Sequence, residues 1–251
     1  MNLVLTNISK RFGGVAAVSD VSMTVQQGMI TGLIGPNGAG KTTVVNLITG
    51  ILALSSGTIT IGETHIGSES PHRIAARGIS RTFQNIQLLP EATAVENIMI
   101  GFHRHERATL VAQIMGFSTS CRETRDLRER ARNLMTIFEM ENFAERPAGG
   151  LAYGHQRKLE IMRAVASEPA VLILDEPVAG MNDVEAFEMG RILRKLVEDG
   201  MALLLIEHNV RFVSNLCNAV YVLDSGRMIA SGAPHDVMAD PAVRTAYLGT
   251  M

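Results

Sequence analysis

The sequence predicts an α/β fold with a mostly parallel core sheet, an N-terminal antiparallel β subdomain and an inserted α-helical subdomain. Three patterns carry this expectation: alternating apolar residues in the first third, short wholly apolar runs elsewhere, and a helical, Arg- and Glu-rich middle. Leu3 to Ile8 is apolar at alternate positions. So are Val21, Met23 and Val25, and again Ile59 and Ile61 after Gly57. Half-exposed antiparallel strands read this way. Ile30 to Ile34, Val171 to Leu174 and Ala202 to Ile206 are instead short, mostly apolar runs, as expected of strands buried on both faces of a parallel sheet.

Helical patterns separate these runs. One helix is expected over Thr42 to Ile51. Another carries Met189, Ile192, Leu193 and Leu196 at helical spacing, with Gly200 as its C-terminal stop. Between Gly101 and Pro147, Leu127, Ala131, Leu134, Met135 and Phe138 form one apolar stripe. Eight arginines and seven acidic residues between His103 and Pro147 nearly cancel, which describes a solvated helix face.

The chain has 251 residues, 46% apolar and 19% charged, with a formal net charge of −2. That length is ample for one buried core. The absence of a basic excess argues against nucleic acid as a partner. Cys121 and Cys217 make neither a disulfide framework nor a Cys-x-x-Cys metal site and fit a reducing, cytosolic compartment. The longest apolar run, Met201 to Ile206, stops at Glu207 and His208, far short of a span of about 20 residues. The N-terminus lacks a signal peptide's apolar core. Any membrane role is therefore expected to come from docking onto another protein.

The chemistry begins at Gly35-Pro-Asn-Gly-Ala-Gly-Lys-Thr42, which satisfies G-x-x-x-x-G-K-[ST] between an expected strand and an expected helix. Glycines let the loop fold around phosphate oxygens with backbone N–H groups turned inward, and the helix N-terminus adds partial positive charge. Gly35, Asn37, Gly38, Ala39, Gly40, Lys41, Thr42 and Thr43 are the expected nucleotide-binding residues. Lys41 supplies a cation for the β- and γ-phosphates, and Thr42 a hydroxyl for Mg2+. In Val171-Leu-Ile-Leu-Asp-Glu-Pro177 a buried strand ends in Asp175, at the sheet edge where doubly wound folds bind ligands. Asp175 is the expected Mg2+ partner, and Glu176 the general base for water attack on the γ-phosphate.

These motifs resemble the nucleotide-binding subunit of ATP-binding cassette (ABC) transporters, over essentially the whole chain. The resemblance implies a P-loop NTPase fold in a single domain. Residues 1–84 and 165–251 would form the RecA-like core and antiparallel β subdomain, and 85–164 the helical subdomain. It makes Gln84, in Thr82-Phe-Gln-Asn85, the sensor of Mg2+ and attacking water, and His208 the catalytic switch histidine. Gly180-Met-Asn182 takes the place of the D-loop, and Phe12 that of the aromatic that stacks on adenine. Leu151-Ala-Tyr-Gly-His155 stands for the L-S-G-G-Q signature, just before a helix, with Leu151, Ala152, Tyr153 and Gly154 contacting nucleotide. In the family the signature serves the γ-phosphate held by a partner subunit. Here Ala152 lacks the serine hydroxyl, so a weaker nucleotide-driven dimer contact is expected.

The signature string to Ile161, the run from Asp175 to Asn182, Ile206-Glu-His-Asn209, Lys10-Arg-Phe-Gly-Gly14 and Ala246-Tyr-Leu-Gly249 look like the LivG-type ATPases of branched-chain amino acid importers. No added regulatory domain of the maltose-importer type is expected. The implied partners are a second ATPase subunit, self or paralogue, two transmembrane permeases and, indirectly, a periplasmic substrate-binding protein. The implied place is the cytoplasmic face of a bacterial inner membrane. The segment from Asn85 to Phe102, with Leu88, Leu89, Pro90, Met99 and Phe102, is expected to line the groove that receives a permease helix. Alternatives are the same subunit serving urea or short amides, or a soluble non-transport ABC ATPase of the iron–sulfur assembly type. A GTPase is disfavoured, because none of Lys10, Lys41, Lys158 and Lys195 is followed by x-Asp.

Overall fold

The alternation of the first third becomes register. In a computed structural model, which describes residues 1–82, 86–102 and 118–248, strand β1 (Leu3–Phe12) pairs antiparallel with β2 (Val15–Val25) on one side. Past β3 (Ile30–Ile34) and helix α1 (Lys41–Ile48), β4 (Ser56–Ile61) pairs with the other side of β1, and β5 (Thr64–His65) with β4. Leu3 lies opposite both Val25 and Ile61, and Leu5 opposite both Met23 and Ile59. The apolar side chains thus fall on one face, as period-2 side-chain direction requires.

Helix α2 (Pro71–Ala76) leads to β6 (Ile79–Arg81), and helices α3 (Ala94–Gly101), α4 (Ser118–Ile137) and α5 (Tyr153–Ala166) follow. The chain then alternates through β7 (Val171–Asp175), α6 (Asp183–Glu198), β8 (Ala202–Ile206), α7 (Val210–Leu216) and β9 (Ala219–Asp224). It ends in β10 (Arg227–Gly232), α8 (Pro234–Ala239) and α9 (Pro241–Leu248). The core sheet has the order β10-β9-β3-β8-β7-β6, parallel except for the edge strand β10. Strands β3, β7 and β8 are buried at every residue.

Both faces of that sheet are covered by apolar layers, which explains the unbroken apolar runs. Leu33, Val171, Ile173, Ala202, Leu204 and Ile206 face a cluster containing the antiparallel sheet and Val44, Val45, Leu47 and Ile48 of α1. Their strand neighbours Ile34, Leu172, Leu174, Leu203 and Leu205 face the other cluster. That second cluster continues through Leu159 and Met162 of α5 and Ala94, Val95 and Ile98 of α3 to the predicted stripe on α4. Leu127, Ala131, Leu134, Met135 and Phe138 are all buried, so the helical layer shares its core with the sheet.

The stripe's opposite face carries exposed ion pairs such as Arg132–Glu145 at 2.7 Å, of the solvated kind that adds little stability. The α1 helix is shorter than expected because Gly50 turns to a φ of 71°, which ends a helix at little steric cost. Gly200 likewise takes a φ of 91° just past α6.

The expected permease groove needs correction at one residue. Phe102 is only 4% exposed, in the core beneath the Arg130 guanidinium, rather than lining a surface. Leu89 is exposed. The loop that carries it is fixed by buried Asn97, which donates to the Leu89, Ala92 and Thr93 carbonyls and accepts from the Leu89 N–H.

Candidate nucleotide site

Parallel strands bring distant segments to one edge. Leu33 of β3 and Asp175 of β7 are both in register with Ile206 of β8. The phosphate loop, the carboxylate pair and the residues after Ile206 therefore emerge side by side. Gly35 takes a φ of 149°, and a Cβ there would lie 2.1 Å from the Leu223 carbonyl oxygen, so only glycine fits. Gly38 also has positive φ, but the space beyond its Cα is open. Asn37, Gly38, Ala39, Gly40, Lys41, Thr42 and Thr43 line a cavity of about 260 Å³ together with Asp175, Glu176 and Ile206. The N-terminal N–H groups of α1 lie at this loop, a ready site for phosphate.

Lys41 Nζ donates to the carbonyls of Gly35 at 2.7 Å and Pro36 at 3.0 Å. Burial pushes its pKa down, against the attraction of Glu176 and Asp175, which raises it. A partly desolvated cation facing two carboxylates suits a polyphosphate, whose oxygens restore the lost solvation. Thr42 and Asp175 bring oxygen ligands to the same cavity. That set fits Mg2+, which takes one or two protein oxygens and completes its shell with phosphate and water. Among the described residues no group of three or more His, Cys, Asp or Glu gathers into a separate metal cage.

Two residues at this edge were not evident from sequence. Arg81, at the end of β6, donates to Asp175 Oδ2 at 3.0 Å and to Asn46 Oδ1 on α1 at 2.7 Å. The pair is nearly buried, with side chains 10% and 12% exposed. The available signal was an arginine directly before the Thr82-Phe-Gln motif. Glu207 is 1% exposed and accepts N–H groups of Val178, His208 and Asn209. Burial raises its pKa, and those hydrogen bonds oppose the shift. It joins the loop after Glu176 to the loop after β8. His208 Nδ1 lies 3.4 Å from Glu176 Oε1, so the expected base and switch histidine meet.

Other predicted residues stand apart. Phe12 is 48% exposed at the end of β1, with Lys10 Nζ 5.1 Å from its ring centroid, and does not line the phosphate cavity. Leu151, Ala152, Tyr153 and Gly154 do not line it either. The signature does not precede its helix but opens it. Ala152 is the N-cap of α5 and makes no side-chain cap, while Tyr153 and Gly154 occupy the first turn. Tyr153 packs on the space above Gly180, where a Cβ would meet its ring at 3.2 Å. Asn182 caps α6. Gln84 lies outside the described residues.

The sequence model of the ABC transporter family matches residues 18–179. That of the branched-chain amino acid ATP-binding cassette transporter matches 227–251. The chain is 38% identical over 248 residues to the Pseudomonas aeruginosa high-affinity branched-chain amino acid transport ATP-binding protein BraF, covering 98% of this chain and 97% of that one. It is 37% identical, with the same coverage, to the corresponding protein LivG of Salmonella typhimurium. Its fold matches the ADP conformation of MJ1267, an ATP-binding cassette of an ABC transporter, with a TM-score of 0.86 at 32% identity over 100% of both chains. A flawless phosphate loop, a carboxylate pair in register with it and these full-length relatives lead to one conclusion: the chain belongs to the ABC transporter family, as an ATP-binding cassette.

Proposed function

We propose that this cassette hydrolyses ATP to power an importer of branched-chain or closely related hydrophobic amino acids. The observation that carries the catalytic part is the cavity in which Lys41, Thr42, Asp175 and Glu176 converge, with His208 against Glu176. The cargo rests on BraF and LivG, which are named for branched-chain amino acid transport, and on the family match at residues 227–251.

In this reading the loop from Gly35 to Thr43 cradles the phosphates and Lys41 neutralises them. Thr42, Asp175 and Gln84 would hold Mg2+, which would offset the charge that develops on the transferred phosphoryl oxygens. Arg81 keeps Asp175 oriented. Glu176 takes the proton of the attacking water, and His208 steadies the carboxylate and the γ-phosphate side of the pocket. Phe12 stacks on the base. Leu151 to Gly154 lie off the phosphate cavity of their own chain, which supports a role toward nucleotide on a second cassette, self or paralogue. Binding then draws two cassettes together, and hydrolysis lets them part.

Among the described residues no helix is long and apolar enough to cross a membrane. In this reading the work is handed to two permease subunits at the cytoplasmic face, supplied by a periplasmic binding protein, in keeping with the transport for which BraF and LivG are named. Reconstitution of the full chain with its permeases in vesicles tests this. Leucine uptake that needs ATP and disappears in Glu176→Gln is expected. ATP-driven uptake of urea or short amides without leucine uptake would reassign the cargo, and failure to fractionate with membranes would remove the transport role.

A further inference from the structure

Arg157 takes no part in the scheme above, yet its side chain ends at the reacting edge. It projects from α5 and is 0% exposed. Its Nη2 donates to the carbonyl oxygens of both Asp175, at 2.6 Å, and Glu176, at 2.8 Å. Its Nη1 donates to Glu160 Oε2 at 2.6 Å, one turn further along the helix, and the two side chains are 1% and 3% exposed. Glu176 has a φ of +49°, a left-handed conformation uncommon for a residue with a Cβ. Its N–H is held by the Ile206 carbonyl at 2.9 Å, and its carbonyl by Arg157. The Glu176 carbonyl also accepts the Ala179 N–H at 3.2 Å, so both sides of the Glu176 Cα are tied, one to β8 and the other to α5 and the following turn. Strained conformations at a reacting residue persist only where the surroundings over-determine them.

We propose that Arg157 is a positioning residue for the hydrolytic base. Its guanidinium, braced by Glu160, holds the Asp175–Glu176 turn in the left-handed form that turns the Glu176 carboxylate toward His208 and the phosphate cavity. The forked, planar head is what the task requires, since one side chain must serve two carbonyls and a carboxylate at fixed angles, which an ammonium does not do. The same helix carries Tyr153 and Gly154 in its first turn, so this contact also links the signature's helix directly to the base. The inference rests on Glu176 being the base.

The test uses the purified full chain. In Arg157→Met/Glu160→Met both buried charges leave together, so that neither is orphaned. Arg157→Lys keeps the charge but not the fork. For the paired variant kcat is expected to fall about 10- to 100-fold, as misplacement of a base by an ångström would produce. Affinity for a fluorescent ATP analogue should stay within about 2-fold, because the phosphate loop is untouched. Arg157→Lys should fall between the paired variant and the parent. In a Glu176→Gln background the Arg157 changes should cause no further loss of turnover. Parental turnover in a folded paired variant overturns the proposal. So does a fall in turnover matched by an equal fall in nucleotide affinity, which marks general disruption. Should the paired variant not fold, Arg157→Lys is read by the same two criteria. Parental hydrolysis in Glu176→Gln alone would instead overturn the assignment of the base.

Discussion

At the carboxyl edge of the core sheet the polar groups are answered within the chain. Lys41 rests on the Gly35 and Pro36 carbonyls, Asp175 is paired with Arg81, and Glu176 meets His208. The N-terminus of α5 is finished differently. Ala152 offers no capping oxygen, Tyr153 is 47% exposed, and no residue from Leu151 to Gly154 reaches the phosphate cavity. The first region is a site built for a ligand of this chain. The second is a helix end without a side-chain cap, which the proposed dimer would set against nucleotide on a second cassette.

The sharpest way to break this contrast is at the base. Glu176→Gln should lower hydrolysis by about 10²- to 10⁴-fold, the usual contribution of a positioned proton acceptor, while ATP binding persists. A steady-state phosphate-release assay beside a binding titration separates the two. Next is Lys41→Ala, which removes a partly desolvated cation from the phosphates. Charge-assisted bonds of this kind correspond to about 10- to 100-fold in ATP affinity, read by fluorescent-nucleotide titration. Unchanged affinity would show that the loop's cation is idle.

Changes at the signature end should be smaller and of opposite sign. Ala152→Ser restores an N-cap oxygen, worth about 1 kcal/mol in helix stability. It should raise the melting temperature and strengthen ATP-dependent dimerisation; no gain in either would mean that the bare cap is not a weakness. His155, tilted against the Phe143 ring at 4.3 Å between centroids, sets a pH dependence. Burial, with Lys158 and Arg146 nearby, holds its pKa below the ordinary 6.5. The folded chain therefore binds that proton less readily than the unfolded one. Its contribution is full above pH 6.5 and is lost as pH falls through the folded value. Melting temperatures followed on acidification should decline less steeply in His155→Gln. An identical slope would show that His155 titrates alike in both states.

Much of the fold was legible because burial leaves a direct trace in residue type. Runs such as Ala202 to Ile206 must be apolar on both sides of a buried sheet, and β1 must alternate. Helix ends were less legible: Gly50 rather than Ile51 set the limit of α1, and the signature opened its helix instead of preceding it. In the site, Lys41, Thr42, Asp175 and Glu176 stood in motifs whose spacing states their chemistry. Arg81, Glu207 and Arg157 did not. Each has a decisive partner distant in sequence, Arg81 at Asp175, Glu207 at the Val178 N–H and Arg157 at the Glu176 carbonyl, and no local pattern announces a contact that only the fold creates. Phe102 failed for the converse reason, since an aromatic in an amphipathic segment reads equally well as surface or core.

The central claim is that each ATP needs the phosphate loop of one cassette and the α5 N-terminus of another. Sedimentation of the Glu176→Gln chain with ATP and Mg2+ tests it most directly, read beside the same chain carrying Gly154→Asp, which places a carboxylate where the anion should sit. The expected result is a nucleotide-dependent dimer that Gly154→Asp abolishes while single chains still bind ATP. A dimer indifferent to Gly154→Asp, or ATP-loaded chains that stay monomeric while the parent hydrolyses ATP at a rate independent of dilution, would contradict it.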